Sequence, residues 1–173
     1  MVCMRALIVL CACVLSTPAF SESDVVRNAR ATEIEGYWQL LPLPDQLQPK
    51  VLAANPWPSQ CQSFAYGRDG TMKSLEKLHG PCESHSRAGL EEMFNMVPAV
   101  ISWKYDMSPV YNKGVLIVER SDVKGSAEIW EPHMVVKPFT NAGVEFQAGD
   151  LLLYLADLTA RKLVWIRHLR KVD

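Results

Sequence analysis

The feature that most constrains this chain is a succession of short apolar runs in its second half, each bounded by turn-forming residues. Residues 99–105, 114–121, 127–130 continuing through 133–137, 144–146, 151–157 and 162–170 are rich in Val, Ile, Leu, Trp and Tyr. Polar connections separate them, among them Asp122-Val123-Lys124-Gly125 and the stretch 157–161. Such runs carry the β-branched and aromatic residues that suit a pleated surface. Residues 60–66 and 71–75 flank Gly67-Arg68-Asp69-Gly70 as a hairpin, and 34–40 is the first strand of the series. About eight or nine strands joined mainly by tight turns make an antiparallel meander. An open meander leaves two unpaired edges, and closing it into a barrel removes them. The fold predicted is all-β with minor α content: an antiparallel barrel of about eight strands with one helix.

The helix is residues 87–97. Leu90, Met93, Phe94 and Val97 recur there at helical spacing, Ser86 stands as N-cap and Pro98 ends the run. On the last strand, Leu163, Trp165, Arg167 and Leu169 alternate onto one face and Val164, Ile166, His168 and Arg170 onto the other. Neither face is wholly polar, so the outer one needs a cover, and the helix is expected to supply it. Residues 42–58 hold Pro42, Pro44, Pro49, Pro56 and Pro58, a density that excludes a regular strand or long helix. A loop this long in a compact domain is expected to serve as a lid or partner surface. Residues 24–33, polar and without clear period, read as a mobile or partly helical lead-in.

Residues 1–21 are expected to leave before folding. Arg5 precedes an apolar run over 6–15, and Ser16, Thr17, Pro18 and Ala19 break it, the order of a secretory signal peptide. The run is shorter than the ~20 residues of a membrane-spanning helix, so no spanning segment is expected in the mature chain. Cleavage after Ala19 or after Ser21 satisfies the small-residue requirement. Lipidation at Cys13, within Leu10-Cys11-Ala12-Cys13, ranks behind simple export because the apolar stretch ahead of it is very short. Residues 22–173 then form one domain, periplasmic or secreted. Cys3, Cys11 and Cys13 depart with the signal, and Cys61 and Cys82 remain as an even pair in an oxidising compartment, expected to form one disulfide. Lys and Arg total 18 against 19 Asp and Glu; without Arg5 the balance is 17 against 19, or -2. A phosphate-binding surface needs clustered cations, so nucleic acid is set aside as a partner.

Gly36-Tyr37-Trp38 on the first strand, with Arg167 on the last, resembles the pattern of the lipocalins and the wider calycin superfamily. The resemblance covers the two ends of the mature chain and the strand count between them. It implies a cup in which Trp38 packs its indole across the bottom. Arg167, or Arg170 in its place, would lie over that ring as a cation–π partner. The 42–58 loop corresponds to the first connection that overhangs such a cup. The mid-chain helix departs from the family, whose helix lies between the last strands and the C-terminus.

A barrel of about eight strands encloses side chains or one small ligand, and such sites are mostly apolar with a few orienting polar groups. The function expected is therefore an exported, non-catalytic protein that holds a small hydrophobic molecule, without a cofactor. Trp103, Tyr105, Trp130 and Tyr154 are the expected cavity residues, with Trp57 of the Pro-rich loop as cover. The runner-up is an exported partner-binding or assembly module with a filled barrel, acting through the 42–58 loop and the 79–86 segment. A copper-binding reading draws on His79, Cys82 and His85, with Met93, Met96 and His133-Met134 further on, because soft sulfur and imidazole select Cu(I). Pairing of Cys82 with Cys61 removes its thiolate, so no metal site is expected. Ser84-His85-Ser86 and Asp150 supply residue types for nucleophilic chemistry, but no G-x-S-x-G elbow, H-E-x-x-H or paired-carboxylate motif accompanies them. Glu91 and Glu92 on the helix, and Glu119, Glu128 and Glu131 on strands, read as solvated faces.

Overall fold

In the computed structural model, which describes residues 24–49, 61–77, 79–109, 112–125, 127–157 and 162–173, the apolar runs become a closed wall. Its strands are β2 (Gly36–Leu41), β3 (Cys61–Tyr66), β4 (Thr71–Lys77), β5 (Ile101–Ser108), β6 (Lys113–Arg120), β7 (Ala127–Val135), β10 (Leu151–Asp157) and β11 (Lys162–Lys171). Each pairs antiparallel with the next in that order, and β11 returns to β2, giving an eight-stranded up-and-down barrel. Outside the ring lie β1 (Val26–Asn28), the one-turn α1 (Ala31–Ile34), α2 (Arg87–Asn95) and the hairpin of β8 (Phe139–Asn141) and β9 (Val144–Phe146). The all-β barrel with one main helix is thus the observed fold. The lead-in is more ordered than its composition suggests: β1 adds to β7, and α1 follows at once.

Period-two alternation sorts the side chains. Trp38, Phe64, Tyr66, Trp103, Leu116, Trp130, Leu151, Leu153 and Leu169 point inward and form one buried core. The lower end of the barrel, where the β3–β4 turn and the N-terminal segment lie, is packed solid. Ile34 of α1 is fully buried there, and Trp38 Nε1–H donates to its carbonyl at 2.7 Å. Arg27 and Arg30 both bond Glu33, which pins α1 beneath the barrel.

Closure needs a special device at the lower end of β6 and β7. β6 pairs with β7 only as far as Leu116–Trp130, and β1 takes over at His133. Asn28 bridges the gap: its Nδ2 donates to Gly114 O (3.1 Å) and Pro132 O (2.9 Å), and its Oδ1 accepts from Gly114 N (3.0 Å). Pro132 fits inside a strand because the side that would need its missing N–H is this gap, where its carbonyl also accepts from Ala29 N. Tyr105 Oη–H donates to Ala29 O at 2.8 Å, close against Gly114. A Cβ at Gly114 would stand 1.7 Å from that oxygen, so only glycine fits.

Two covers protect the outside. Ser86 caps α2 by accepting from Gly89 N, and Leu90 and Phe94 are buried against the barrel. Phe94 stacks on Tyr37 of β2 with centroids 5.9 Å apart, and its carbonyl accepts from Lys73 Nζ of β4. The helix therefore covers the β2–β4 side and not the last strand, contrary to the sequence expectation. The reason is covalent. Cys61 and Cys82 form a disulfide, which ties the segment leading into α2 to the start of β3. The outer face of β10 and β11 is covered instead by the β8–β9 hairpin, through a second cluster of Val135, Phe146, Leu152 and Tyr154 with Leu43, Leu47, Leu163 and Ile166. A tight turn with positive φ at Ala142 (50°) and Gly143 (79°) folds that hairpin back. A bulge between Leu155 and Ala156 moves Leu163 off the face that simple alternation has it share with Trp165.

Replacing Gly114 by Ala should cost about 1–3 kcal/mol or more through overpacking, measured as a shift in urea midpoint with an unchanged slope. Replacing both Cys61 and Cys82 by Ser, which opens a loop of 21 residues, should cost roughly 3 kcal/mol on the chain-entropy account. Equal midpoints for oxidised and reduced protein would contradict that account.

Candidate functional site

The upper half of the barrel is built differently from the floor. β4 and β5 pair only at Thr71–Ser102 and Met72–Ile101, so above Met72 the wall parts. Behind the parting lies a chamber of about 110 Å³. Phe64, Met72, Ile101 and Val118 give it an apolar base, and Gln62, Ser74, Glu76, Arg120, Glu128 and Arg167 give it a polar wall. Each of these residues occupies an inward position on its strand, so the alternation that fills the floor with aromatics fills the top with charge.

Arg167 is the centre of the chamber. Only 6% exposed, it lies 4.3 Å from the Trp130 ring centroid and 5.2 Å from that of Phe64. The aromatic faces attract the cation and offset part of the cost of burying it. Burial still pushes its pKa down, while the charges of Glu128 and Glu76 act in the opposite sense. Trp130 is itself oriented by Glu128, which accepts its Nε1–H at 2.9 Å. Gln62, also buried, donates from Nε2 to Glu76 Oε1 at 2.8 Å. The wall can therefore offer both donors and acceptors to something small.

The expected cavity residues do not gather around one void. Trp103 belongs to the packed floor, its Nε1–H donating to Gly67 O at 2.9 Å and its ring edge-on to Tyr66. Tyr105 serves the closure at Ala29. Trp130 forms the underside of Arg167. Tyr154 points outward, edge-on to His133, and borders an apolar groove of about 150 Å³ with Leu43, Leu47, Phe139 and Ile166. Its hydroxyl is pushed up to about 12 by burial, with Glu131 adding to the shift. Trp57 lies outside the described residues.

At the base, Gly36 opens β2 with φ of 123° and Trp38 is fully buried. The cation over Trp38 is Lys171, 5.3 Å from its ring, and not Arg167 or Arg170. Register explains the correction: Lys171 is the residue of β11 directly opposite Trp38, and Arg167 sits opposite Leu153 of β10. His79 is exposed, and His85 borders a groove of about 290 Å³ with Met93 and the Cys61–Cys82 disulfide. Among the described residues no three His, Cys, Asp or Glu side chains are arranged to hold a metal ion. None of the helices among them is long and apolar enough to cross a membrane.

Two groups of charged residues lie elsewhere than on the solvated faces the sequence suggests. Glu128 faces the chamber, and Glu131 is buried with its carboxylate 3.6 Å from His133 Nε2. Asp150, 2% exposed, accepts from Arg170 Nε (2.9 Å) and Nη2 (2.8 Å), from Gln147 N and from His168 Nε2 (2.7 Å). This cluster lies under the β8–β9 hairpin, where Phe146 stacks on His168 at 4.6 Å. Burial opposes the charge on Asp150, but the hydrogen bonds from Arg170 and His168 prevail and hold its carboxyl well below the usual range. Alternation on 60–66 and 127–130, applied as it was to the last strand, would have put Gln62 and Glu128 on inward faces.

Comparison with known protein families, with curated proteins and with solved structures returns no match.

A carboxyl whose folded pKa is depressed contributes stability above its unfolded pKa and loses it as pH falls through the folded value. The Asp150 cluster should therefore give full support above about pH 4 and weaken progressively below it. Asp150→Asn should flatten the fall of unfolding free energy between about pH 5 and pH 2. A pH profile as steep as that of the parent chain would remove Asp150 from the list of acid-sensitive groups.

Proposed function

We propose that this chain is an exported, non-catalytic binding protein of lipocalin-like build that holds one small amphipathic molecule in the upper chamber of its barrel. The observation that carries the reading is Arg167. A guanidinium buried beside a cavity is costly, and sites with strongly perturbed charges in clefts are where binding concentrates. The apolar base of Phe64, Met72, Ile101 and Val118 suits a ligand's hydrocarbon part, and the wall above it suits a polar head. This modifies the purely hydrophobic ligand expected from the aromatic content, because those aromatics fill the floor. Size sets a limit: about 110 Å³ is well below the roughly 300–1,000 Å³ of a drug-sized pocket. The ligand is small, or it enters through the parting between β4 and β5 and remains partly outside. Export rests on the signal-like residues 1–21 and accords with the disulfide.

A second reading is favoured by one observation. The exposed 79–86 segment, fastened by the disulfide, borders the groove of about 290 Å³ on the outer wall, a firm surface for a protein partner. Native mass spectrometry of the chain purified from its own source separates the two. A co-purifying small mass that is lost when Met72→Trp fills the chamber's apolar base supports the chamber. A clean apo mass, with crosslinks to another protein through the 79–86 segment, would replace the chamber reading with the second.

A further inference from the structure

We propose that the upper chamber selects a primary ammonium head on a short apolar body. This rests on the reading of the chamber as the ligand site. Gln62 is 3% exposed, and its Nε2 donates to Glu76 Oε1 at 2.8 Å. A carboxylate only accepts, so this bond fixes which way the amide points. Gln62 Oε1 is left buried without a hydrogen-bond partner. A buried acceptor in that state keeps its full desolvation cost until a donor reaches it. The occupant that satisfies it must therefore bring an N–H or O–H.

Charge decides between the donors. Arg120 faces the chamber but is held by Asp122 through two bonds, Nε to Oδ1 at 3.0 Å and Nη2 to Oδ2 at 2.7 Å. That ion pair is neutral. Among the described residues the remaining lining charges are Glu76 and Glu128 against Arg167, two negative and one positive, a balance of -1. An entering carboxylate would take the balance to -2 and would offer Gln62 Oε1 no donor. An ammonium brings the balance to zero and carries three N–H groups for Gln62 Oε1 and the two glutamates. Arg167 is the opposing charge, and its cation is engaged over the faces of Trp130 and Phe64. The apolar base then takes the hydrocarbon tail, which an inorganic cation lacks.

The test uses the full mature chain and three ligands of one shape: n-butylamine at pH 7, 1-butanol and butyrate. Binding is followed by tryptophan fluorescence, since Trp130 lies beneath Arg167, and by NMR shifts of the Met72 methyl. Butylamine should bind at least about tenfold more tightly than either analogue. Glu128→Gln should lower the preference for amine over butyrate, and Gln62→Leu should weaken butylamine binding, each variant first checked for an unchanged melting curve. Because either variant can fail to fold, the three-ligand series on the parent chain decides alone. Butyrate or butanol binding as tightly as butylamine overturns the ammonium inference and leaves the chamber as the site. No binding by any of the three overturns both.

Discussion

A barrel is a sheet whose edges have met, and here the meeting is completed by one side chain. β6 and β7 separate at their lower ends, and β1 occupies only the far part of the space. The Asn28 amide spans the remainder, presenting donor and acceptor to Gly114 as a strand would and extending its donor to Pro132. Everything at the floor is built on that bridge. It places Ala29 under Tyr105, leads the chain into α1, and lets Ile34 reach the indole of Trp38. Gln48 uses the same chemistry at the other seam. β11 pairs with β2 only from His168 onward, and the Gln48 amide both donates to Ile166 O and accepts from Ile166 N, each at 2.9 Å. Side-chain amides thus continue the ladder in two places where backbone pairing stops, which satisfies strand groups that would otherwise be left open.

The strand series was legible because period two and turn chemistry are local signals. All eight strands of the wall begin and end within three residues of the apolar runs that predict them, and β10 coincides with its run at both ends. What escaped was whatever depends on partners distant in sequence. Val26–Asn28 is too short and polar to announce a strand, and becomes one only because β7 has a free flank. Phe139–Asn141 is likewise strand only as half of a hairpin. The helix was found within two residues of its end, yet its position was not, since a disulfide and not amphipathicity decides which side of the barrel it covers.

The site was less legible for a related reason. Aromatic residues on inward faces can fill a barrel or line a cavity, and composition does not say which. Trp103 and Tyr105 have polar tips satisfied by Gly67 at the β3–β4 turn and by Ala29 between β1 and α1, both at the floor. Their hydrogen bonds anchor them as structure. The chamber is marked instead by polar residues at inward positions, Gln62 and Glu128 among them, which read as surface until register is known.

The last strand shows how one face serves two tasks. Arg167 and Lys171 are four residues apart on the inward side of β11, and each places a cation over an indole: Trp130 for the first, Trp38 for the second. Lys171 stands at the strand's exposed lower end, where its charge stays in water and its stem covers the ring. It can close the base at little cost. Arg167 has no such outlet, because four residues further up the strand it is enclosed by β10, Trp130 and Phe64. The pairing of indole and cation at the floor thus uses the residue that can stay solvated. The buried arginine lies higher, in a part of the interior where empty volume and carboxylates occur together. The floor takes its cation from Lys171, so Arg167 contributes its charge to the chamber that it lines.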